Sequence, residues 1–223
     1  MKKIIAMVMM LVCIMGLTAC GGKEGSGTGS STSSGIGSKY KKLEKGETCE
    51  FGTYENEPIT WIVLENDNGK LLLITEDVLC PIEYNSEDEA TTWELCSLRK
   101  WLNGQFYNSA FSEKEKDIIV KTEVINNDNQ QFEIDGGNDT KDNVFILSVD
   151  EANKYFSSDE ARNVNDENSS YWWWLRTPGY LENCAIVVLG DGAIGNTGVP
   201  VDSITGDGGG TNAVRPVIWI DAN

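Results

Sequence analysis

A chain of 223 residues that contains no histidine lacks the imidazole needed for Ser-His-Asp or Cys-His nucleophiles, for His-ligated zinc or iron, and for ordinary acid–base work near neutral pH. Its 18 basic and 35 acidic side chains give a formal net charge of −17, which repels a phosphate backbone and excludes nucleic acid as an ordinary partner. The length suffices for one substantial core and falls short of two.

The chain opens with Lys2 and Lys3, an apolar run over residues 4–16, and then Leu17-Thr18-Ala19-Cys20. The run is short for a membrane span and ends in small residues, the pattern of a cleaved export signal. Leu-Thr-Ala-Cys resembles the lipobox of bacterial lipoproteins, which implies a signal peptide over 1–19 and a lipid on Cys20 that holds the mature chain on a membrane. Residues 21–38 are nearly all Gly, Ser and Thr. Such a segment behaves as a flexible coil with a reach of about 25 Å, so 20–46 reads as lipidated cysteine plus tether and 47–223 as one globular domain. The basic stretch Tyr40-Lys41-Lys42-Leu43-Glu44-Lys45 reads either as a solvated lead-in to the first strand or as a contact for anionic headgroups.

Within the domain, Cys49 to Tyr54 alternates as a strand, and two apolar runs flank Asn66-Asp67-Asn68-Gly69, residues that accept the left-handed backbone of tight turns. A β-meander is expected. Thr91-x-x-Glu94, Ser112-x-x-Glu115 and Ser148-x-x-Glu151 are capping-box patterns, so three short helices are expected. The first places Leu95, Leu98, Leu102 and Phe106 on one face, points Arg99 and Lys100 more outward, and meets Asn103-Gly104 as an end or kink. Residues 120–125 and 144–147 read as strands, the second continuously apolar and therefore central.

Tyr171-Trp172-Trp173-Trp174-Leu175-Arg176-Thr177-Pro178-Gly179 concentrates more apolar area than any other stretch and belongs in or beside the core. As a strand it would set Trp172, Trp174 and Arg176 on one face and Trp173 and Leu175 on the other, before a type II turn at Pro178-Gly179. Its expected partner is Val214-Arg215-Pro216-Val217-Ile218-Trp219-Ile220, and Cys184 to Leu189 is another buried strand. The fold class is α+β with sheet dominant. Beyond Cys13 and Cys20, four cysteines remain; an exported domain favours the pairings Cys80–Cys96 and Cys49–Cys184, whereas a chain that meets no oxidant would keep four buried thiols.

Phe51-Gly52-x-Tyr54, Leu98-Arg99-x-Trp101-Leu102-Asn103, Phe145-x-Leu147-Ser148, Trp173-Trp174-Leu175-Arg176-x-Pro178-Gly179 and Val214-Arg215-Pro216 stand in order. That set resembles an uncharacterised family, described only as a domain of unknown function and common in surface and exported proteins of Gram-positive anaerobes, over about 50–220. Thr177 stands where that family usually has serine. A more distant similarity links the Trp-Leu-Arg and Val-Arg-Pro segments to the C-type-lectin-like fold of sulfatase-modifying-factor proteins. It implies that the termini pair in one sheet and that loops 126–143 and 190–212 cluster on one face.

Three functional readings follow. The first is a non-catalytic module for a carbohydrate, cell-wall or protein ligand, with Trp172, Trp174 and Tyr180 as stacking candidates; the same tryptophans read otherwise as core, and Arg176 and Arg215 as structural ion pairs. The second is a calcium-stabilised domain using Asp135, Asn138, Asp139 and Asp142, with Asp202 and Asp207 in a second loop, although the spacing departs from the Asp-x-Asp-x-Asp-Gly pattern. The third is an enzyme using Glu83, Glu87, Asp88 and Glu89 or the thiols of Cys80 and Cys96, but contiguous acids poorly replace two carboxyls held across a cleft. The expectation is a lipid-anchored, extracytoplasmic binding domain with no cofactor except calcium under the second reading. Its expected partners are the membrane, through Cys20, and a surface glycan or protein.

Overall fold

The computed structural model describes residues 35–165, 169–206 and 209–223. The export signal, Cys20, the tether up to residue 34, and Asp207 lie outside the described residues. The folded unit begins earlier than residue 47. A 3-10 turn, Ile36–Lys39, leads to Tyr40, which is 3% exposed and donates its hydroxyl to the Glu50 carbonyl at 3.0 Å. A Cβ on Gly37 would sit 2.8 Å from the Ala222 backbone, so glycine there lets the lead-in lie against the last strand.

Two tight turns build the first sheet. Strand β1 (Thr48–Tyr54) turns through Glu55 and Asn56, both at positive φ, into β2 (Glu57–Asp67), and Asn68-Gly69 at φ 53° and 88° turn β2 into β3 (Lys70–Thr75). These left-handed pairs match the twist of antiparallel strands, and the expected meander forms. The last strand, β11 (Val217–Asp221), closes the sheet beside β3, in the order β1-β2-β3-β11. Covered on both faces, β3 is buried at every position from Leu71 to Thr75.

The second sheet runs β4 (Cys80–Pro81), β10 (Thr211–Val214), β7 (Tyr171–Pro178), β8 (Cys184–Val188), β9 (Val199–Pro200). The tryptophan strand β7 is its middle member, parallel to β10 and antiparallel to β8. Trp173, Trp174, Leu175 and Arg176 are all buried, since both faces of β7 are packed. Gly179 does not adopt positive φ; it is needed for closeness, because a Cβ there would meet the Cys184 Cβ at 2.6 Å. A two-stranded ladder, β5 (Thr122–Val124) with β6 (Thr140–Asp142), lies apart from both sheets.

Two expectations change here. The run 214–220 is not one partner for β7: β10 ends at Val214, and Arg215-Pro216 carries the chain into the other sheet. Nor is 144–147 a central strand. Phe145 exchanges backbone hydrogen bonds with Val217 at 3.0 and 2.8 Å, while Leu147 accepts from the Arg176 N–H at 2.9 Å. One extended segment thus joins one sheet to the other, and burial from both sides explains its apolar composition.

The helices also number more than three. Thr91-x-x-Glu94 caps nothing; Cys96 is the N-cap, its sulfur accepting from Arg99 N at 3.4 Å. From there α1 (Ser97–Trp101), a π turn (Leu102–Phe106) and α2 (Tyr107–Ala110) run on continuously. Leu95 precedes this run and is exposed, while Leu98, Leu102 and Phe106 face the core. Ser112 and Glu115 head α3 (Glu113–Lys116), Ser148 and Glu151 head α4 (Val149–Tyr155), and Ser158 caps a further turn, α5 (Asp159–Arg162). The result is a sheet-dominated α+β domain.

Asn103, expected to end or kink the first helix, sits in the π turn and serves as a clamp. Its Oδ1 accepts from the backbone of Asn143 (2.8 Å) and Val144 (3.2 Å), and its Nδ2 donates to the carbonyl of Val144 (2.8 Å). Substituting Asn103→Ala leaves those backbone groups unmet inside the fold and should cost about 1–3 kcal/mol. Urea unfolding of the soluble domain from Gly35 onward measures this; an unchanged midpoint would show that the clamp contributes nothing.

Candidate functional site

An arginine inside a sheet needs a partner for every N–H, and Arg176 of β7 has them. Its Nη1 and Nη2 pair with the two oxygens of Glu151, the second at 2.9 Å, and it donates to the carbonyls of Ile125 (3.0 Å) and Ile146 (2.8 Å). Glu151 also accepts from the Ser148 N–H at 3.0 Å, so one carboxylate caps α4 and neutralises the guanidinium. Three distant pieces of chain, around 125, 148 and 176, are fixed at one point. The Val149 N–H donates to Thr177 Oγ1 at 3.0 Å and binds the start of α4 to β7 a second time.

Over this junction lies a cleft of about 290 Å³, walled by residues 125–131, the start of α4 and residues 194–196. The 126–136 loop is held by its own side chains. Asp128 accepts from Gly136 N (3.0 Å), Asn129 accepts from Gln131 N (3.1 Å) and donates to the Pro178 carbonyl (2.8 Å), and Asn126 donates to the Asn138 carbonyl (2.8 Å). The remaining carboxamides, Asn127, Gln130, Gln131 and Asn196, are exposed and make no side-chain hydrogen bond among the described residues. Asn126 is 8% exposed and its buried Oδ1 has no donor among the described residues, an unmet acceptor that costs about 1–3 kcal/mol. Three isoleucines, 125, 186 and 194, with Val149, supply the apolar part of the lining. At the far end of the same loop Phe132 meets Tyr180 edge-on, with ring centroids 6.3 Å apart. Residues 126–131 and 194–196 therefore do share one face, whereas Gly206 and Gly210 pack instead on Trp172.

The stacking candidates separate. Tyr180 is 44% exposed. Trp174 is fully buried, with its indole N–H donating to the Ile82 carbonyl at 2.8 Å, so it cannot touch a ligand. Trp172 is half-buried; a Cβ on Gly206 or Gly210 would meet its ring at 2.1 Å, so both glycines are needed to cover it.

Arg215, expected to form an ion pair, has none among the described residues. It donates to the carbonyls of Thr75 (2.8 Å) and Glu76 (2.9 Å) and packs against both Phe156 and Trp173, 5.3 and 5.2 Å from their ring centroids. Burial pushes its pKa down to about 10, against the opposing pull of Asp77 and Glu76. Sequence periodicity cannot reveal this substitute for a carboxylate, because the aromatic faces come from separate elements.

The expected calcium ligands are not brought together. Asp142 is buried and takes Trp93 Nε1 at 2.9 Å, Arg99 Nε at 2.8 Å and Thr140 Oγ1 at 2.7 Å. Asp139 accepts from Asn126 N, Asp135 from Gly137 N, and Asn138 donates to Glu94. Among the described residues no group of three or more acidic, cysteine or histidine side chains is placed to hold a metal. The carboxylates proposed for catalysis lie in the 83–89 loop, away from the cleft lining, with Asp88 accepting from Asn183 at 2.7 Å.

Neither expected disulfide forms, and all four cysteines are free thiols. Cys49 lies in one sheet and Cys184 in the other, which keeps them from meeting. Cys96 is committed to capping α1, while Cys80 lies near the Tyr54 hydroxyl. Burial pushes Cys96 up to about 12 and Cys49 to about 11, and raises Cys80 and Cys184 as well. At pH 8 the folded domain from Gly35 onward should therefore react slowly with a thiol reagent. In urea without reductant it should release four equivalents, whereas two or none would restore the disulfides.

No curated protein matches this chain, and neither does any solved structure. One family model does, over residues 68–222, from the β2–β3 turn to just past β11, so the match begins later than residue 50. The chain belongs to the family described as Domain of unknown function, DUF6273.

Proposed function

We propose that the domain is a non-catalytic binding module, held on the extracytoplasmic face of a membrane by the lipid on Cys20, whose cleft above Arg176 takes a neutral polar ligand of a glycan, cell-wall component or protein. The observation that carries this reading is the ring of exposed carboxamides without internal partners around a cleft whose buried cation is already neutralised. A carboxamide both donates and accepts, so Asn127, Gln130, Gln131 and Asn196 suit hydroxyls and amides and offer no full charge to an ion. The volume of about 290 Å³ lies at the small end of ligand sites and fits a sugar ring or a short peptide turn. A binding role rather than catalysis is supported by the lack of histidine and by the positions of the thiols, none of which lines the cleft.

The test is retention of the soluble domain on an array of glycans and cell-wall fragments, with and without chelator. Wild-type protein should be retained in both conditions, and Asn127→Ala combined with Gln131→Ala should weaken retention about tenfold, as expected for one or two hydrogen bonds of ~1 kcal/mol, with unchanged melting. Retention indifferent to the double substitution would remove the cleft from consideration; loss with chelator would return weight to calcium. In cells, Cys20→Ala should move the protein out of the membrane fraction, and persistent membrane association would refute the lipid anchor.

A further inference from the structure

We infer that the ligand group seated in the cleft is an acetamido substituent of a sugar, so that the module reads an N-acetylated hexosamine chain. This rests on the binding reading above and narrows it. A fully hydroxylated sugar would satisfy the carboxamides but leave the isoleucines facing hydroxyls. Ile125 is 48% exposed, Ile194 and Val149 are half-buried and Ile186 is buried, so the lining asks for a small apolar group within a polar ligand. The acetamido group meets both demands, because its methyl covers isoleucine while its N–H and C=O pair with carboxamides. The exposed carboxamides of Asn127, Gln131 and Asn196 stand on the same wall as Ile125 and Ile194, within one small ligand's span.

Charge narrows the class further. Asp128 and Asp150 sit at the cleft rim, and Glu151 already cancels Arg176, so an anionic polymer is repelled. A free amino sugar would be drawn to those two carboxylates. Its ammonium, however, would lose hydration against the isoleucines, which makes it the informative competitor. Tyr180, exposed beside Phe132 at the end of the cleft loop, offers a ring face on which the next sugar of the chain can stack.

The experiment is isothermal titration of the soluble domain with four probes: the hexamer of N-acetylglucosamine, cellohexaose, the hexamer of glucosamine, and trialanine, which carries the same amide and methyl on a peptide. The acetylated hexamer should bind at least tenfold more tightly than each of the others, and Gln131→Ala should reduce its affinity. Tyr180→Ala should weaken the acetylated hexamer, whereas in a further titration the N-acetylglucosamine monosaccharide, which has no next sugar, should bind the variant as it binds the wild type. Equal binding of cellohexaose or glucosamine hexamer, or preference for trialanine, would overturn the acetamido assignment. If that binding were still lost in Asn127→Ala with Gln131→Ala, the cleft reading would survive. Binding of none of the probes would overturn the assignment as well, and the array with the same double variant then decides the broader reading by itself.

Discussion

A guanidinium cannot be buried in the middle of a sheet unless its charge is matched and its N–H groups find acceptors, and meeting that demand at Arg176 organises the domain. Glu151 supplies the charge, but its position is set by a second obligation, the free N–H groups at the start of α4. The carbonyls of Ile125 and Ile146 supply the remaining acceptors, and each belongs to a segment with no ladder of its own at that point. Helix α4, the extended segment 144–147 and the chain entering the 126–136 loop are therefore positioned by one side chain of β7. The cleft is the space left above that junction.

Arg215 meets only part of that demand, its Nη1 having no hydrogen-bond partner among the described residues, and the difference follows from where it sits. It occupies the step between β10 and β11, where the chain leaves one sheet for the other and the proline after it donates nothing. Two carbonyls and two aromatic faces surround it, close to where β3 ends. The two sheets are thus tied twice, at the crossing by Arg215 and through 144–147 by hydrogen bonds to Val217 and Arg176. Arg99 provides a third anchor by reaching the buried Asp142 and holding β6 against α1.

What could be read from residues alone was what local chemistry decides. Asn68-Gly69 specifies a turn whatever surrounds it, and Ser148 with Glu151 specifies a helix start within four residues. What could not be read depended on partners far away. Arg99 looked outward because Asp142 is 43 residues distant, and Glu151 looked like a cap alone because its other partner lies in β7. The run 144–147 misled because a segment buried between two sheets has the composition of a central strand without pairing as one. At the site, the run of amides from Asn126 to Gln131 was plainly present in the sequence. Which of those amides face outward depends on Asp128, Asn129 and Asn126, whose hydrogen bonds hold the loop and leave the others exposed.

The unpaired state of Cys49, Cys80, Cys96 and Cys184 has a consequence for how such a protein is made. A domain whose strands, turns and caps close without any sulfur–sulfur bond has no oxidative step in its maturation. It can reach its native state on either side of a membrane and in either redox condition, with no oxidase or isomerase to wait for. Its rate of assembly is then set by the folding of the chain itself, whichever compartment it occupies.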